Sequence, residues 1–494
     1  MPLKVYNTIT RQKEPFVPLV AGRAGIYVCG ITAYDLCHIG HARSALVFDV
    51  IARYLRYRGY EVTYVKNFTD VDDKIIDKAN AAGTDIFAIS EKYIAAHNED
   101  MDALGIIRPD QTPRATEHIA GMVALVNKLI AHDLAYVMGG DVYFSVGKFN
   151  NYGKLSGRSL EDLLAGARVD VNEKKTNPLD FALWKASKEG EPWWESPWGR
   201  GRPGWHIECS VMSQRFLGDT FDIHGGGEDL VFPHHENEIA QSEGATGKPL
   251  ANYWLHNGFV RVNSEKMSKS LGNFFTIRDL LNAYHPEVLR LFILQNHYRS
   301  PVDYTDTSLA EARQGMHRLY AARKTIQDIL AASPMRPSSP RELTPKNDEI
   351  ISKINIQRQR FIEAMDDDFN TARAVSCLFD VTRVINGYLA AKPSLTEAET
   401  LFVLHEAQQY FQETGGVLGF FRKATADYFL QDREREVRKR GLDVAEIERL
   451  IEARNAARAA KDWGRADEIR TALAAKNVIL KDTPAATAWS IEGV

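Results

Sequence analysis

Two histidines and two lysines, far apart in the chain, are of types and spacings that could work on phosphates. His38, Gly40 and His41 stand in CHIGHAR, and Lys266 and Lys269 in EKMSKSLGN, 225 residues beyond His41. Histidines three apart share a helix face and can donate to phosphate oxygens. Gly40 lets a ligand approach the backbone. The lysines are point charges on flexible stems, suited to following phosphates as a bond breaks. Asp229, after three glycines, could hold a ribose hydroxyl. A second group has metal-ligand chemistry. His234 and Glu238 are four apart and share a face, and Cys29 and Cys209 could complete a Zn²⁺ set from distant elements. Spacing leaves alternatives open: His235 is an equal neighbour of Glu238, and a solvated polar helix start or a charged turn would carry the same residues.

The elements that must position these groups follow from periodicity. Ile26–Cys29 reads as a short buried strand ending at Gly30. Ala42, Leu46, Val47, Val50, Ile51, Tyr54 and Leu55 recur at helical spacing, so a helix begins near His38–His41. Both histidines then sit past the carboxyl end of a strand and at a helix start, where α/β sheets bind ligands and free N–H groups meet anions. Glu61–Asn67 alternates as a second strand of a βαβ unit, and Thr69 at its exit becomes a pocket candidate. Asp72 and Asp73 read as helix caps.

Further on, Asp141–Val146 is a strand, Gly153, Gly157 and Gly166 mark turns, and Trp193, Trp194 and Trp198 read as packing of a loop-rich segment. Gly204–Ser210 opens a helix, Phe221–His224 is a strand, and Pro233 starts another helix. Residues 275–330 read as helical, 332–347 as a Pro/Ser-rich connection, and helices resume to about Gly415. Residues 424–441 are highly charged and read as a linker or an exposed helix. Helices Val444–Lys461 and Trp463–Lys476 and a strand Val478–Leu480 close the chain.

The chain has 494 residues, enough for two to four domains, and its 44% hydrophobic content supports real cores. A net charge of −4 gives no global signal for nucleic acid. Residues 421–481, however, hold 15 Lys/Arg against 11 Asp/Glu, a local basic excess suited to RNA. There is neither an N-terminal apolar segment of signal type nor an apolar run of membrane length, so the expectation is a soluble, cytoplasmic protein. Cys29, Cys37, Cys209 and Cys377 are too scattered for a disulfide framework.

HIGH early and KMSKS late resemble the signature of class I aminoacyl-tRNA synthetases. The resemblance extends over essentially the whole chain to the bacterial-type cysteinyl-tRNA synthetases. It is carried by YVCGITAYDLCHIGHAR, DALGIIRPDQTPRATEHI, GRPGWHIECS, FDIHGGGEDLVFPHHENEIAQ, EKMSKSLGNF, MDDDFNTA and AKDWGRAD.

The resemblance implies a ligase that activates L-cysteine with ATP to cysteinyl-adenylate and pyrophosphate, then transfers it to the terminal adenosine of the cysteine tRNA. It implies one Zn²⁺ per chain on Cys29, Cys209, His234 and Glu238, approached by the substrate sulfur, and Mg²⁺ with ATP. Thr32, Thr69, Trp205 and His224 would surround the amino acid. His38, Gly40, His41, Asp229, Lys266 and Lys269 would form the ATP site, with His38, His41, Lys266 and Lys269 acting in catalysis. Arg458, Asp467 and Asp482 would contact the anticodon.

The expected fold class is α/β. A Rossmann-like parallel-sheet catalytic domain (1–131 and 201–310) is split by a connective insertion (132–200). A helical bundle (311–423) and a small anticodon-binding domain (424–494) follow, in a monomer. A related cysteine-activating ligase that acts on an amino-sugar would lack the domain containing Trp463. A non-catalytic RNA-binding relative should have lost signature residues that are present here. A zinc hydrolase built on HHENE would leave HIGH and KMSKS unexplained.

Overall fold

The near-continuous apolar run Ile26–Val28 is the centre of the first half of the protein, as expected for a strand covered on both faces. In the computed structural model, which describes residues 2–162, 175–266, 273–333, 343–395, 397–482 and 487–491, it lies within a parallel sheet. After a short hairpin of β1 (Lys4–Asn7) and β2 (Gln12–Pro15), strand β3 (Arg23–Thr32) leads through helix α1 (Ile39–Tyr57) to β4 (Glu61–Thr69). β4 pairs parallel to β3, with Thr32 opposite Thr69. The sheet order is β10-β9-β3-β4, where β9 is Phe221–Gly227 and β10 is Ala251–Asn257. The expected βαβ unit and adjacent strand exits are therefore present. α1 turns Ala42, Leu46, Val47, Val50, Ile51, Tyr54 and Leu55 into the core, and Asp72 caps α2 (Asp73–Ala82) through Lys74 N.

Helices α3 (Ile86–Leu104) and α4 (Ile119–Ala131) precede a four-stranded antiparallel sheet. It comprises β5 (Ala135–Met138), β6 (Asp141–Phe144), β7 (Phe181–Ala186) and β8 (Gly201–Pro203). Trp184 is fully buried there with Trp198 edge-on at 5.9 Å, whereas Trp193 is exposed beneath the Arg200 guanidinium at 3.9 Å. Helix α5 (Trp205–Leu217) returns the chain to the parallel sheet. The helix expected from Pro233 starts later, as α6 (Glu236–Thr246). A π-helical turn, Val231–His235, precedes it; Phe232 within that turn is extended (φ −141°, ψ 131°), and His235 already has helical angles (φ −69°, ψ −33°).

The described residues fall into two units. One comprises Met1–Arg261, Asn296–Val302 and Ile362–Thr371, and the other the remainder. The second is mainly helical. Asp306–Ala332 packs with Pro286–Leu294, Ala398–Leu418 and Thr425–Lys439. Thr425–Lys439 corrects the expectation of a linker or exposed helix, because Tyr428, Asp432, Glu436 and Val437 are buried. Its charges tolerate burial because they are paired. Arg313 donates to Asp432 at 2.9 Å and to Glu436, and Tyr428 stacks on Tyr320 at 3.8 Å.

At the end of the chain, Val444–Ala459 and Trp463–Ala475 close on a core of Ile447, Ile451, Ile469, Leu473 and Val478. Beyond the expected strand, here Val478–Asp482, a second one, Thr487–Ile491, pairs with it antiparallel. Among the described residues no helix is long and apolar enough to cross a membrane.

Candidate active site

The turn entering α1 is built from its own histidines. His38 is the N-cap; its Nδ1 accepts from Gly40 N at 3.0 Å, and its backbone N–H donates to His41 Nδ1 at 3.2 Å. The rings stack with centroids 3.8 Å apart. Each Nδ1 accepts a backbone hydrogen, so the proton of the neutral ring belongs on Nε2. Burial, His38, Lys66 and His97 hold His41 well below the ordinary histidine range. At neutral pH its Nε2–H is a neutral donor at a helix start, which suits a phosphate oxygen. Asp229 is exposed just past β9.

The second cluster starts from a bulge. The β3–β4 register shifts between Val28 and Ile31. A Cβ on Gly30 would stand 1.5 Å from the Asn67 carbonyl oxygen, so only glycine permits this approach. Beside it Cys29 faces residues from α5 and from the start of α6. Its Sγ lies 3.7 Å from Cys209 Sγ, 3.2 Å from His235 Nε2 and 3.4 Å from Glu238 Oε1. His234 Nε2 is 3.1 Å from the same Oε1, and His224 Nε2 is 2.9 Å from Oε2.

Two overlapping quartets have ligand atoms within 4.8 Å of one another: Cys29, Cys209, His234 and Glu238, or Cys29, His224, His235 and Glu238. All six residues are buried. Burial pushes the Cys29 and Cys209 thiols up and His234 and His235 well down. Among the described residues no lysine or arginine bonds to any of them. Thiols, imidazoles and a carboxylate enclosed without a cation form a site that can hold a metal ion.

The residues expected around the amino acid border this cluster. The Trp205 ring, exposed at the start of α5, lies 4.3 Å from that of His234. His224 stacks on Trp254 at 4.4 Å. Thr69 Oγ1 donates to Glu208 Oε2 at 2.6 Å, next to Cys209, and Thr32 is its strand partner.

Comparison with known proteins agrees with this chemistry. Residues 15–314 match a family model described as tRNA synthetases class I (C) catalytic domain, 360–422 a DALR domain, and 441–489 a cysteinyl-tRNA ligase anticodon binding domain. The chain is 55% identical to a cysteine–tRNA ligase of Trichlorobacter lovleyi and 54% identical to one of Geobacter sulfurreducens. Each alignment spans 492 residues and 100% of both chains. The chain belongs to the cysteine–tRNA ligase family. It is therefore an aminoacyl-tRNA ligase that charges tRNA with cysteine, with ATP, tRNA and the amino acid as substrates. Its fold is shared with methionyl-tRNA synthetase of Mycobacterium tuberculosis bound by methionyl-adenylate. That match has a TM-score of 0.61 at 17% identity, over 79% of this chain and 92% of the other.

Other expected residues of the ligase are placed less fully. Lys266 ends a two-residue strand, Glu265–Lys266, and Lys269 lies outside the described residues, as does Gly166. In the terminal domain Asp482 accepts from Arg454 twice, at 2.9 Å, and from Arg458 at 2.6 Å. Asp467 lies on the helix Trp463–Ala475.

Sequence reasoning missed the histidines behind the cluster. His206 Nδ1 lies 2.9 Å from His234 Nδ1, and His256 Nε2 2.8 Å from His235 Nδ1. Thr8 Oγ1 meets His256 Nδ1 at 2.8 Å. Burial draws His206 and His256 down to about 3. His206 lies in a run that reads only as opening a helix, and nothing is read from the run around His256.

Proposed function

We propose that this cysteine–tRNA ligase recognises its substrate thiol through one Zn²⁺ on Cys29, Cys209, His234 and Glu238. The observation that carries the reading is the 3.7 Å separation of the two sulfurs. Two Zn–S bonds of about 2.3 Å at a tetrahedral angle span ~3.8 Å. Glu238 supports the same set, because Oε1 faces Cys29 and His234 while Oε2 is engaged by His224. His235 Nε2 stands farther from Oε1, at 4.0 Å. When bound, zinc supplies a Lewis acid that prefers a thiolate sulfur to an alcohol that stays protonated.

The chain's own residues bind and aim the reactants. His38 and His41 at the start of α1 meet the ATP phosphates through their Nε2–H groups, with Gly40 allowing close approach. Asp229 holds the ribose, and Lys266 and Lys269 follow the departing pyrophosphate. Mg²⁺ accompanies ATP. Thr32, Thr69, Trp205 and His224 hold cysteine so that its carboxylate attacks the α-phosphorus in line. The terminal ribose of the cysteine tRNA then takes the acyl group; no general base is assigned.

The division of labour follows the domains read from the sequence. Residues 1–131 and 201–310 carry catalysis around the 132–200 insertion, 311–423 form the bundle, and 424–494 read the anticodon through Arg458, Asp467 and Asp482. The enzyme acts as a cytoplasmic monomer. Shape alone separates cysteine from serine poorly, since a methylene-sized difference is worth only ~1–3 kcal/mol. Residues 132–200 are few for a separate hydrolytic domain. The expected outcome of pyrophosphate exchange across all twenty amino acids is therefore cysteine alone, with serine rejected at activation by roughly 10⁴–10⁵. Ready serine activation followed by rapid deacylation of mischarged tRNA would refute this account of the metal.

A further inference from the structure

Arg43 lies on α1 five residues beyond His38, is 1% exposed, and is bonded entirely to backbone carbonyls among its hydrogen-bond partners. Its guanidinium donates to Phe259 O at 2.6 Å, to Tyr298 O at 3.0 Å and to Ser300 O. The cage exists because two segments close on each other. Gly258 N donates to Tyr298 O at 3.0 Å and Val302 N to Phe259 O at 2.9 Å. A Cβ on Gly258 would stand 2.7 Å from the Arg299 oxygen.

The second segment is held from behind by the DDD run of MDDDFNTA. Buried Asp368, at φ 64°, accepts from Tyr298 Oη, Arg299 Nε and Tyr6 N, each at 2.8 Å. The far end of α1 is tied to the same run, since Tyr54 Oη donates to Asp366 at 2.7 Å and Arg58 also bonds to it. A helix could be fixed to a core by apolar packing alone, and burying a guanidinium against neutral carbonyls is costly. What a rigid fork adds is direction, because three fixed acceptors define one position for the helix that bears it.

We propose that Arg43 is a positioning residue for adenylate formation: its bonds to three carbonyls, backed by Asp368, set the aim of His38 and His41 at the start of α1. The proposal rests on the reading that those histidines meet the ATP phosphates. Burial draws the guanidinium down to about 10, so it stays charged at neutral pH.

The experiment compares wild-type, Arg43→Ala, Arg43→Lys, Asp368→Asn and His38→Ala as full-length, zinc-loaded proteins. Single-turnover adenylate formation, the KM for cysteine and zinc content are measured. Arg43→Ala should form adenylate roughly 100-fold more slowly, the scale of a 1 Å misplacement. Cysteine KM should stay within about twofold and zinc content should be unchanged. Arg43→Lys should recover little, because one ammonium cannot hold three carbonyls, whereas added methylguanidinium should partly restore Arg43→Ala. Asp368→Asn should slow the same step and add little on the Arg43→Ala background.

An Arg43→Ala enzyme with wild-type rate, or one that loses zinc and cysteine affinity in step with rate, overturns the proposal. If Arg43→Ala does not fold, a folded Arg43→Lys at wild-type rate overturns it, and a slow one with unchanged cysteine KM supports it. A slow His38→Ala beside a fast Arg43→Ala overturns the Arg43 assignment alone; an unaffected His38→Ala overturns the ATP-site reading beneath it.

Discussion

The cluster around Glu238 and the ion pairs around Asp482 use carboxylates under opposite conditions. Glu238 is 0% exposed, and among its partners burial pushes the Cys29 thiol up and the His234 imidazole well down. Asp482 has a side chain 40% exposed, meets Arg454 and Arg458, and has its carboxyl held well below the usual range by the Arg454 hydrogen bonds. In the first region desolvation dominates, and the buried donors form a site that can hold a metal ion. In the second, the Arg458 pair is open to water, and an exposed guanidinium can exchange a carboxylate for another anionic group at small cost. Rigid chemistry belongs in the first and adaptable recognition in the second.

The largest effect should follow from breaking the buried region. Cys209→Ala is expected to drop zinc from one per chain to a trace and to lower cysteine-dependent exchange by more than the ~10–100-fold typical of an outer-shell change. Metal analysis decides it, and full zinc retention rejects Cys209 as a ligand.

Removing the exposed region should separate the two reactions. Truncation after Gly441 is expected to leave cysteine-dependent exchange within about twofold but to lower tRNA charging by more than the ~10–200-fold of one lost contact. A cut at 424 is a different experiment. It also removes Asp432 and Glu436 from buried Arg313, which should cost about 3–5 kcal/mol of stability. Wild-type charging by the shorter deletion would defeat the anticodon assignment.

The two quartets can be told apart from behind. His206 supports His234 and His256 supports His235. His206→Ala should therefore weaken zinc ~10–100-fold and His256→Ala less. Competition with a chromophoric chelator measures both, and the reverse order would favour the His235 set.

Acid should discriminate the regions as well. His97, His256 and His285 titrate near 3 in the folded chain because burial disfavours their charged form, against 6.5 when unfolded. Below pH 6.5 the unfolded chain takes up protons that the folded chain does not. The contribution of these three histidines is then constant above 6.5 and falls as pH drops, by up to ~1.4 kcal/mol per pH unit for each. The depressed Asp482 carboxyl contributes only where an unfolded aspartate protonates, near 3.8 and below. Denaturant midpoints of metal-free enzyme should thus decline between pH 6.5 and 4.5; a flat profile contradicts the burial argument.

The smallest effect is at Arg458. Its exposed pair with Asp482 should be worth ~0.2–1 kcal/mol of stability. Arg458→Ala should leave the unfolding curve nearly unmoved while raising the KM for tRNA, and an unchanged KM would remove it from the anticodon site.

Much of the architecture was legible because its signals are local. Apolar spacing from Ala42 to Leu55 marks one face of a helix, Asp72 caps the next, and a buried apolar run and an alternating run on either side of the first helix bring Thr32 beside Thr69. The four expected zinc ligands were legible as residue types, and the pair His234 and Glu238 by period. What distance along the chain conceals was decided only by the tertiary structure. His256 in ANYWLHN alternates like any strand residue, and nothing local says that its ring meets His235 on one side and Thr8 on the other. The charged run 425–439 reads as exposed because the arginine that neutralises it lies more than a hundred residues earlier. A buried polar group is stable only with its partner, so its burial cannot be read before the partner is known. Period and capping are properties of a segment, whereas desolvation is a property of everything packed around it.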